Sequence, residues 1–340
     1  MDFFDQEAHA KRRTHLLLCL FGLAVFAFVV LTYLILALPI RLFSPALATG
    51  TSFFQWIWEP RLAFWVVTGT LFSTALGCLY KLRLLAGGGS AVAELLGGRK
   101  VESNPANLDE KRLRDAVEEM AVAAGAPVPE IYVLDCERGI NAFAAGNARD
   151  DVAIGVTFGA LKLLNRDELQ GIIAHEFSHV TNGDTRLNMK LMALAHGLFW
   201  PTIAGRILVH GSPRAPEIGE SIFDTGTKPV FLPTAPIGVL FLIVGGITAP
   251  SVRLIKSLIC REREWLADAA AVQFTRNPAG LISALTKIDA AAKPFRGVSN
   301  ATQHLFIVNP VQRITASLPA LLATHPETAD RIARLRNLGG

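Results

Sequence analysis

Two stretches of this 340-residue chain lack charged side chains altogether. No Asp, Glu, Lys or Arg occurs between Arg13 and Arg41, and none occurs between Arg61 and Lys81. An apolar helix needs about 17 to 25 residues to cross the core of a bilayer. Because 51% of the residues are hydrophobic and the mean hydropathy is +0.37, the composition excludes an ordinary soluble protein. The sequence predicts two membrane spans, at about 16–40 and 62–80.

Cysteine is scarce as well: the chain has four, and no C-x-x-C pair. This pattern argues against a disulfide framework and favours a reducing compartment. The glycines at 87–89 and 97–98 lack the spacing and the Lys-Ser/Thr pair of a phosphate-binding loop. They predict a flexible linker after the second span, over 87–107. The sequence has no internal repeat and no low-complexity tract.

Two later stretches are apolar but are weaker candidates for membrane spans. Residues 191–209 are long enough to cross a bilayer but contain His196, Pro201 and Arg206, so a re-entrant or interfacial segment is an alternative. Residues 230–252 carry no charge but contain three prolines. We interpret the two stretches as a second membrane hairpin.

The basic residues that flank the apolar segments predict their orientation. They cluster before the first span, after the second span and after the second hairpin: Lys11, Arg12, Arg13; Lys81, Arg83, Arg99, Lys100; Arg253, Lys256, Arg261, Arg263. The loop between the first two spans has only Arg41 and Arg61. The positive-inside rule therefore predicts a multi-pass protein of the inner (plasma) membrane whose soluble parts face the cytoplasm. These flanks explain the net charge of +4 and suit anionic lipids, so the charge does not indicate nucleic-acid binding.

The segment His175-Glu176-Phe177-Ser178-His179 carries the pattern H-E-x-x-H. On a helix, residues four apart lie on the same face, so both imidazoles can reach one metal ion. Glu176 lies beside that face, where its carboxylate can act on a metal-bound water instead of ligating the metal. The same pattern also arises by chance around ordinary histidines, so it suggests a zinc peptidase without establishing one.

The sequence around the motif predicts the helix that it needs. Asn165 is a suitable N-cap, and Glu168 three residues later completes a capping box. Apolar residues then recur at helical spacing, at Leu169, Ile172, Ile173, Phe177 and Val180.

The chain before the motif predicts a small α+β domain. Apolar residues at helical spacing indicate a helix over 108–125. Strands are expected at 131–134 and 152–156, which are short, apolar and rich in β-branched residues. Residues 141–144 can pair with the second of these strands across the polar turn at 146–151.

A catalytic zinc usually takes a third protein ligand, and the segment 261–268 offers acids for this role. Glu264 and Asp268 are four residues apart and therefore share one helix face. The alternative is a solvated charged face with intrahelical ion pairs, in which case Glu262 is an equal candidate.

Four motifs follow one another along the chain: Asn141-Ala142-Phe143-Ala144, Ala174-His175-Glu176-Phe177-Ser178-His179, Arg263-Glu264-Trp265-Leu266-Ala267-Asp268, and Thr324-His325-Pro326 with Arg331. In this order they resemble the HtpX and CAAX prenyl protease group of membrane-embedded zinc metallopeptidases. The resemblance extends over nearly the whole chain, from the first span to the end.

The resemblance implies a mostly helical α+β fold with a gluzincin-type zincin domain and one zinc ion per chain. It assigns Glu264 as the third ligand beside His175 and His179. It also implies that Asp268 orients a ligand histidine, because metal-bound imidazoles usually donate their other N–H to a carboxylate or carbonyl.

Two further roles rest on the resemblance alone. His325 and Arg331 would donate hydrogen bonds to the oxyanion that forms when water attacks a peptide carbonyl. The strand Asn141-Ala142-Phe143-Ala144 would bind an extended substrate by backbone pairing. Outside the resemblance, these residues would be taken for a surface histidine, a solvated arginine and an ordinary strand with Phe143 in the core.

The expected function is that of a zinc-dependent membrane metalloendopeptidase that cuts membrane or misfolded proteins on the cytoplasmic side. A prenyl-protein endoprotease is an alternative, but the enzymes of that kind have more spans around a large intramembrane chamber. A catalytically silent membrane scaffold is another, although the intact Glu176 and ligand set argue against it. A transporter, prompted by Arg206, lacks the expected repeat.

The predicted organisation has five parts along the chain. Residues 1–86 form the N-terminal membrane hairpin and 87–107 the linker. The catalytic domain occupies 108–190 and 253–340, and the second membrane hairpin, 191–252, interrupts it.

Overall fold

The computed structural model describes residues 3–42, 56–211, 234–290 and 326–338. The helices are α1 Phe3–Leu42, α2 Pro60–Leu84, α3 Gly88–Leu95, α4 Leu108–Ala124, α5 Phe158–Leu163, α6 Arg166–Thr181, α7 Asp184–His210, α8 Ala235–Thr275, α9 Pro278–Ala290 and α10 Thr328–Leu338. The strands are β1 Arg99–Lys100, β2 Glu130–Leu134, β3 Ala142–Ala145 and β4 Ala153–Thr157. The fold is mostly helical with a small sheet, which confirms the predicted class.

The strands form one sheet in the order β1-β2-β4-β3. Strands β2 and β4 are parallel. Strand β3 pairs antiparallel with β4, which agrees with the predicted pairing of 141–144 with the strand at 152–156. Phe143 of β3 lies opposite Gly155 of β4, and a Cβ atom on Gly155 would be 2.1 Å from the phenyl ring. The phenyl ring is fully buried. The strand order leaves β3 at one edge of the sheet.

The segment 87–107, predicted as a flexible linker, contains α3 and β1 instead. Val92 and Ala93 of α3 are fully buried. Gly89 lies so close to the sheet that a Cβ atom would be 2.2 Å from the carbonyl oxygen of Ala145 and 2.3 Å from the amide nitrogen of Ala153. The glycine therefore permits α3 to pack tightly on β3 and β4, and the prediction of a flexible linker does not hold.

Helix α6, which carries the H-E-x-x-H motif, packs against α4, α8 and α9. The predicted capping box is present: Asn165 Oδ1 accepts from the Glu168 amide at 2.9 Å, and Glu168 Oε2 accepts from the Asn165 amide at 2.8 Å. The predicted apolar stripe is buried along its whole length. Gly171 meets the backbone of α9, where a Cβ atom would be 2.8 Å from the Leu281 nitrogen. Neighbours on several sides therefore fix the position of α6.

Three helical segments in the described part of the chain are long and apolar enough to cross a membrane: Cys19–Leu38, Pro60–Leu84 and Asp184–Val209. The first two agree with the predicted spans. Residues 191–209 belong to one continuous helix that begins at Asp184, without the reversal of direction that a re-entrant segment needs. Residues 230–233 lie outside the described part, so a fourth crossing stays a prediction.

Helices α7 and α8 pack closely along the predicted second hairpin. A Cβ atom on Gly205 would be 2.8 Å from the Gly238 carbonyl oxygen, and Thr234 Oγ1 donates to the Leu208 carbonyl at 2.8 Å. Helix α8 then continues without interruption to Thr275 and contacts α6. One helix thus connects the apolar segment with the acidic segment 261–268.

Candidate metal centre

Three of the predicted ligands meet between α6 and α8. The imidazoles of His175 and His179 are 4.9 Å apart between ring centroids, and each Nε2 atom lies 3.7 Å from an oxygen of Glu264. One ligand atom of each residue lies within 4.8 Å of the others. Zinc bonds of about 2.0–2.2 Å correspond to ligand separations of roughly 3.3–3.6 Å in a tetrahedron. The observed distances are close to these, so the three side chains suit one metal ion.

The hydrogen bonding of His175 provides a separate test of this fit. Its Nδ1 atom lies 3.0 Å from Asp268 Oδ1. Its Nε2 atom is buried and has no hydrogen-bond partner among the described residues. A buried nitrogen without a partner is costly, and a metal ion between His175 and Glu264 would satisfy it. Two imidazoles and a carboxylate are the donor set of many catalytic zinc sites.

Asp268 orients His175 and is in turn held by Arg331. The guanidinium of Arg331 donates to Asp268 through Nε at 2.9 Å and through Nη2 at 2.7 Å. Burial by itself raises the pKa of the Asp268 carboxyl, but the Arg331 charge and hydrogen bonds from His175 and Arg331 lower this pKa to about 2. Asp268 is therefore ionised and accepts from Nδ1 of His175, which leaves Nε2 for a metal.

Asp184 plays the same part for His179, and the sequence reasoning missed it. Its Oδ2 atom lies 2.9 Å from His179 Nδ1, and its other oxygen forms an ion pair with Arg263. Asp184 is the first residue of α7, just after a turn at Gly183 with φ of 70°. An acid placed directly after the histidine helix is a signal that could have found it, since each ligand imidazole needs such a partner.

Glu176 lies beside the three candidate metal ligands but is not one of them. The carboxyl is buried, and burial raises its pKa to about 7, although the charge of His179 and a hydrogen bond from the Ala144 backbone act in the opposite direction. Ala144 belongs to β3, so the edge strand of the sheet reaches the base candidate. A carboxyl with a pKa near neutrality can both accept and release a proton at working pH.

Five of the other predicted site residues are described, namely Asn141 to Ala144 and Arg331. Asn141 to Ala144 are buried at the edge of the sheet, and Phe143 is a core residue as the simpler alternative proposed. Arg331 also lies in the site, with Nη1 3.5 Å from Glu264 Oε2. His325 and the side chain of Glu262 lie outside the described residues.

The chain is similar to a group of known proteases. Residues 107–338 match the model of peptidase family M48. A "Protease HtpX homolog" from Caldanaerobacter subterraneus subsp. tengcongensis is 35% identical over 339 residues, which cover 98% of this chain and 97% of that relative. Another from Streptococcus gordonii is 31% identical over 337 residues, which cover 98% and 99%.

A solved structure also matches at low similarity. The crystal structure of S. mikatae Ste24p aligns with 78% of this chain and 58% of its own, at 20% identity and a TM-score of 0.45. This likeness is too loose to support a conclusion about activity.

Proposed function

The chain belongs to peptidase family M48 and is a membrane metallopeptidase; from this premise we propose that it is a zinc endopeptidase acting on membrane or misfolded proteins at the cytoplasmic face of the inner membrane. One observation carries the proposal. His175, His179 and Glu264 converge on one point, and the buried carboxyl of Glu176 lies beside them. This is the division between ligands and base that peptide hydrolysis requires.

In the proposed mechanism, His175, His179 and Glu264 hold the zinc ion. When bound, zinc supplies a Lewis acid that polarises the peptide carbonyl and makes a water molecule easier to deprotonate. Glu176 takes the proton of the attacking water and delivers it to the leaving amine. Its pKa of about 7 suits both steps, because a stronger acid would be a weaker base.

We propose that the substrate binds as an extended strand beside β3. The strand order places β3 at an edge of the sheet, and the Ala144 backbone donates a hydrogen bond to Glu176. A peptide that pairs with this edge would run past His175 and His179, because β3 packs against α6, which carries them. The strand's side chains, Phe143 above all, would support this edge from the core.

Arg331 is proposed to have two roles. Through its hydrogen bonds to Asp268 it positions His175. Its Nη1 atom lies 3.5 Å from Glu264 Oε2, so an oxyanion that forms beside the metal ligands would lie within the field of the guanidinium. We retain His325 as the second proposed oxyanion donor on the strength of the sequence motif.

The choice of substrate rests on the membrane helices. Asp184, which orients His179, is also the first residue of a candidate membrane span, so the metal centre lies directly beside the membrane-spanning part of the molecule. A membrane protein that has lost its partners would present loops at this level. The basic flanks of the spans favour the cytoplasmic side.

The proposal is tested by comparing membranes that express the wild type with membranes that express Glu176→Gln. The variant should keep stoichiometric zinc and lose turnover by at least about a hundredfold, because general base catalysis typically contributes 10²–10⁴-fold. New protein termini on the cytoplasmic side, counted by mass spectrometry, report the cleavage.

Glu102→Gln, which changes an exposed carboxylate outside the site, is the matched control and should cleave like the wild type. Equal cleavage by Glu176→Gln would refute the assignment of the base. A correctly folded wild type that binds no zinc would instead favour the scaffold alternative.

A further inference from the structure

Lys81 is a buried cation at the junction between the soluble domain and the membrane helices. The buried face of α2 runs through Thr70, Thr74, Gly77 and Lys81, which are spaced three and four residues apart. Only 7% of Lys81 is exposed. A charged residue thus ends an otherwise uncharged helix face, on the side that packs against α7.

The packing of α2 on α7 locates the Lys81 side chain. A Cβ atom on Gly77 would be 3.1 Å from the Gly197 Cα, while Leu85 packs in one cluster with Met189 and Met192. The two helices are therefore antiparallel, and Lys81, midway between Gly77 and Leu85, lies at the level of residues 193–196. Ala193 at this level is small, which leaves room for a long side chain.

Among the residues that the structure describes, the polar groups at this junction have no anionic partner. The Lys81 ammonium makes no hydrogen bond and no ion pair with any described residue. His196 lies close enough for that charge to act on its imidazole, and its buried Nε2 atom also lacks a hydrogen-bond partner in the described part of the chain. A buried cation is stable when an anion pairs with it. Two nitrogen donors that lack acceptors among the described residues form an arrangement that a bound anion would satisfy.

The surroundings of the junction indicate which anion. Tyr80, with 57% of its surface exposed, stacks near His196 at 5.8 Å between ring centroids, and Arg83 is exposed two residues after Lys81. Exposed aromatic and basic residues at the end of an apolar helix are typical of the headgroup layer. The dipole of α2 favours a cation in its last turn, but this contribution is small beside the cost of removing the Lys81 ammonium from water.

We propose that Lys81 and His196 form a binding site for one phosphate group at the junction of α2 and α7, supplied by a phospholipid headgroup or by free phosphate. Lysine offers three donors and a full charge, and a neutral imidazole offers one N–H, all of which a phosphate can accept. Bound phosphate would join α2 to the fourth turn of α7, the helix that begins with Asp184.

The test uses the full chain purified in a neutral detergent, with three probes: dihexanoyl phosphatidylglycerol, dihexanoylglycerol, which has the same acyl chains without phosphate, and inorganic phosphate. The rise in melting temperature with probe concentration gives an apparent Kd. The phospholipid should stabilise the wild type with a saturable 1:1 dependence, and dihexanoylglycerol should not. Lys81→Met should weaken binding by roughly tenfold or more, since it removes a charge-assisted contact.

Arg83→Met is the matched control: it removes an exposed cation from the same helix end and should change the Kd by less than about threefold. Lys81→Arg should retain binding. Competition by inorganic phosphate would make the phosphate group itself the ligand, whereas binding of the phospholipid alone would identify the lipid; both outcomes support the site. Equal losses in Lys81→Met and Arg83→Met, or equal binding of dihexanoylglycerol, would overturn it.

A second measurement covers the case in which Lys81→Met does not fold. The ³¹P resonance of the phospholipid should broaden on addition of wild-type protein, and much less on addition of His196→Phe, which keeps a ring of similar size. Equal broadening by the two proteins would contradict the proposed site.

Discussion

His175 and His179 lie one helical turn apart, yet their surroundings differ. His175 is completely buried, and its partner Asp268 is held by Arg331 of α10, near the end of the described chain. His179 keeps 13% of its side chain exposed, and its partner Asp184 begins the next helix along the chain. The first histidine therefore depends on distant parts of the sequence, and the second mainly on a neighbouring turn.

This difference shows which parts of the fold position each of the two candidate metal ligands. The His175 side requires α8, which carries Asp268, and α10, which carries Arg331. The His179 side needs the turn at Gly183 and the ion pair between Asp184 and Arg263. Helix α8 serves both sides, because Arg263, Glu264 and Asp268 lie within two of its turns. Four variants or pairs of variants separate these contributions.

Removal of the shared ligand should have the largest effect. Glu264 faces both histidines at 3.7 Å, so Glu264→Gln weakens both sides together. We expect zinc affinity to fall by more than about a hundredfold, beyond the 10–100-fold typical of losing an outer partner. Competition with a chromophoric chelator measures the affinity. An unchanged zinc affinity would show that Glu264 is not a ligand.

Replacing the two orienting acids tests the difference between the histidines directly. Asp268→Asn and Asp184→Asn should each lower zinc affinity by about 10–100-fold. Asp268→Asn should also destabilise the protein by about 3–5 kcal/mol, because it leaves the fully buried Arg331 without its carboxylate. Asp184→Asn should cost less stability: Asp184 and Arg263 are buried too, but the His179 side chain is 13% exposed, so water reaches this side of the site.

Melting temperatures of the metal-free variants separate the stability effect from the loss of metal. If Asp184→Asn destabilises the metal-free protein as much as Asp268→Asn does, the two sides are energetically equivalent and the proposed difference is absent.

Conservative changes of the two arginines should give smaller effects. Arg331 binds Asp268 with two parallel hydrogen bonds, which lysine cannot reproduce. We expect Arg331→Lys to weaken zinc binding by roughly threefold to tenfold, and Arg263→Lys by about twofold, because a point charge can replace a contact made through one nitrogen. Cobalt substitution gives a spectroscopic check, since the visible bands of bound Co²⁺ change with ligand geometry. Equal shifts of the Co²⁺ bands in the two variants would contradict the proposed difference between the His175 and His179 sides.

Local sequence signals predicted the parts of this site that are local in the chain. Asn165 and Glu168 predicted the start of α6, and the spacing of His175 and His179 predicted that both imidazoles lie on one face of it. The pairing of 141–144 with the following strand also followed from a short polar turn. In each case the determining interactions lie within about 15 residues, where propensity and periodicity are informative.

Local sequence signals did not predict the contacts that depend on tertiary packing. Spacing alone leaves Glu262 and Glu264 as equal candidates, and the family resemblance distinguishes them. Nothing in the sequence paired Asp184 with Arg263, because that contact requires α8 to lie across the start of α7. The glycine at 89 was taken for flexibility, whereas its lack of a side chain serves close packing on the sheet.

The smallest effect is expected from a change in the contacts that hold α6, the helix that carries both histidines. Weakening these contacts should leave the difference between the His175 and His179 sides unchanged. Glu168 of the capping box also accepts from Ser283 Oγ and Lys287 Nζ of α9, each at 2.7 Å. Burial raises the pKa of Glu168, but the hydrogen bonds from Lys287, Ser283 and the Asn165 amide outweigh it and lower the pKa overall. The folded state therefore favours the ionised form. This stabilisation is present above the unfolded pKa of about 4.3 and is lost as the pH falls through the lower folded value.

Lys287→Met should therefore reduce stability at pH 6 by about 1 kcal/mol or less, because Lys287 is 42% exposed and solvent screens the pair. At pH 3 the variant and the wild type should be nearly equal. Melting temperatures of the metal-free proteins at the two pH values measure the change and exclude any contribution from zinc release. A destabilisation that is the same at both pH values would mean that Lys287 acts through packing. A change in the ratio of the Asp268→Asn and Asp184→Asn effects in the Lys287→Met background would show that α6 does not hold the two histidines as one rigid unit.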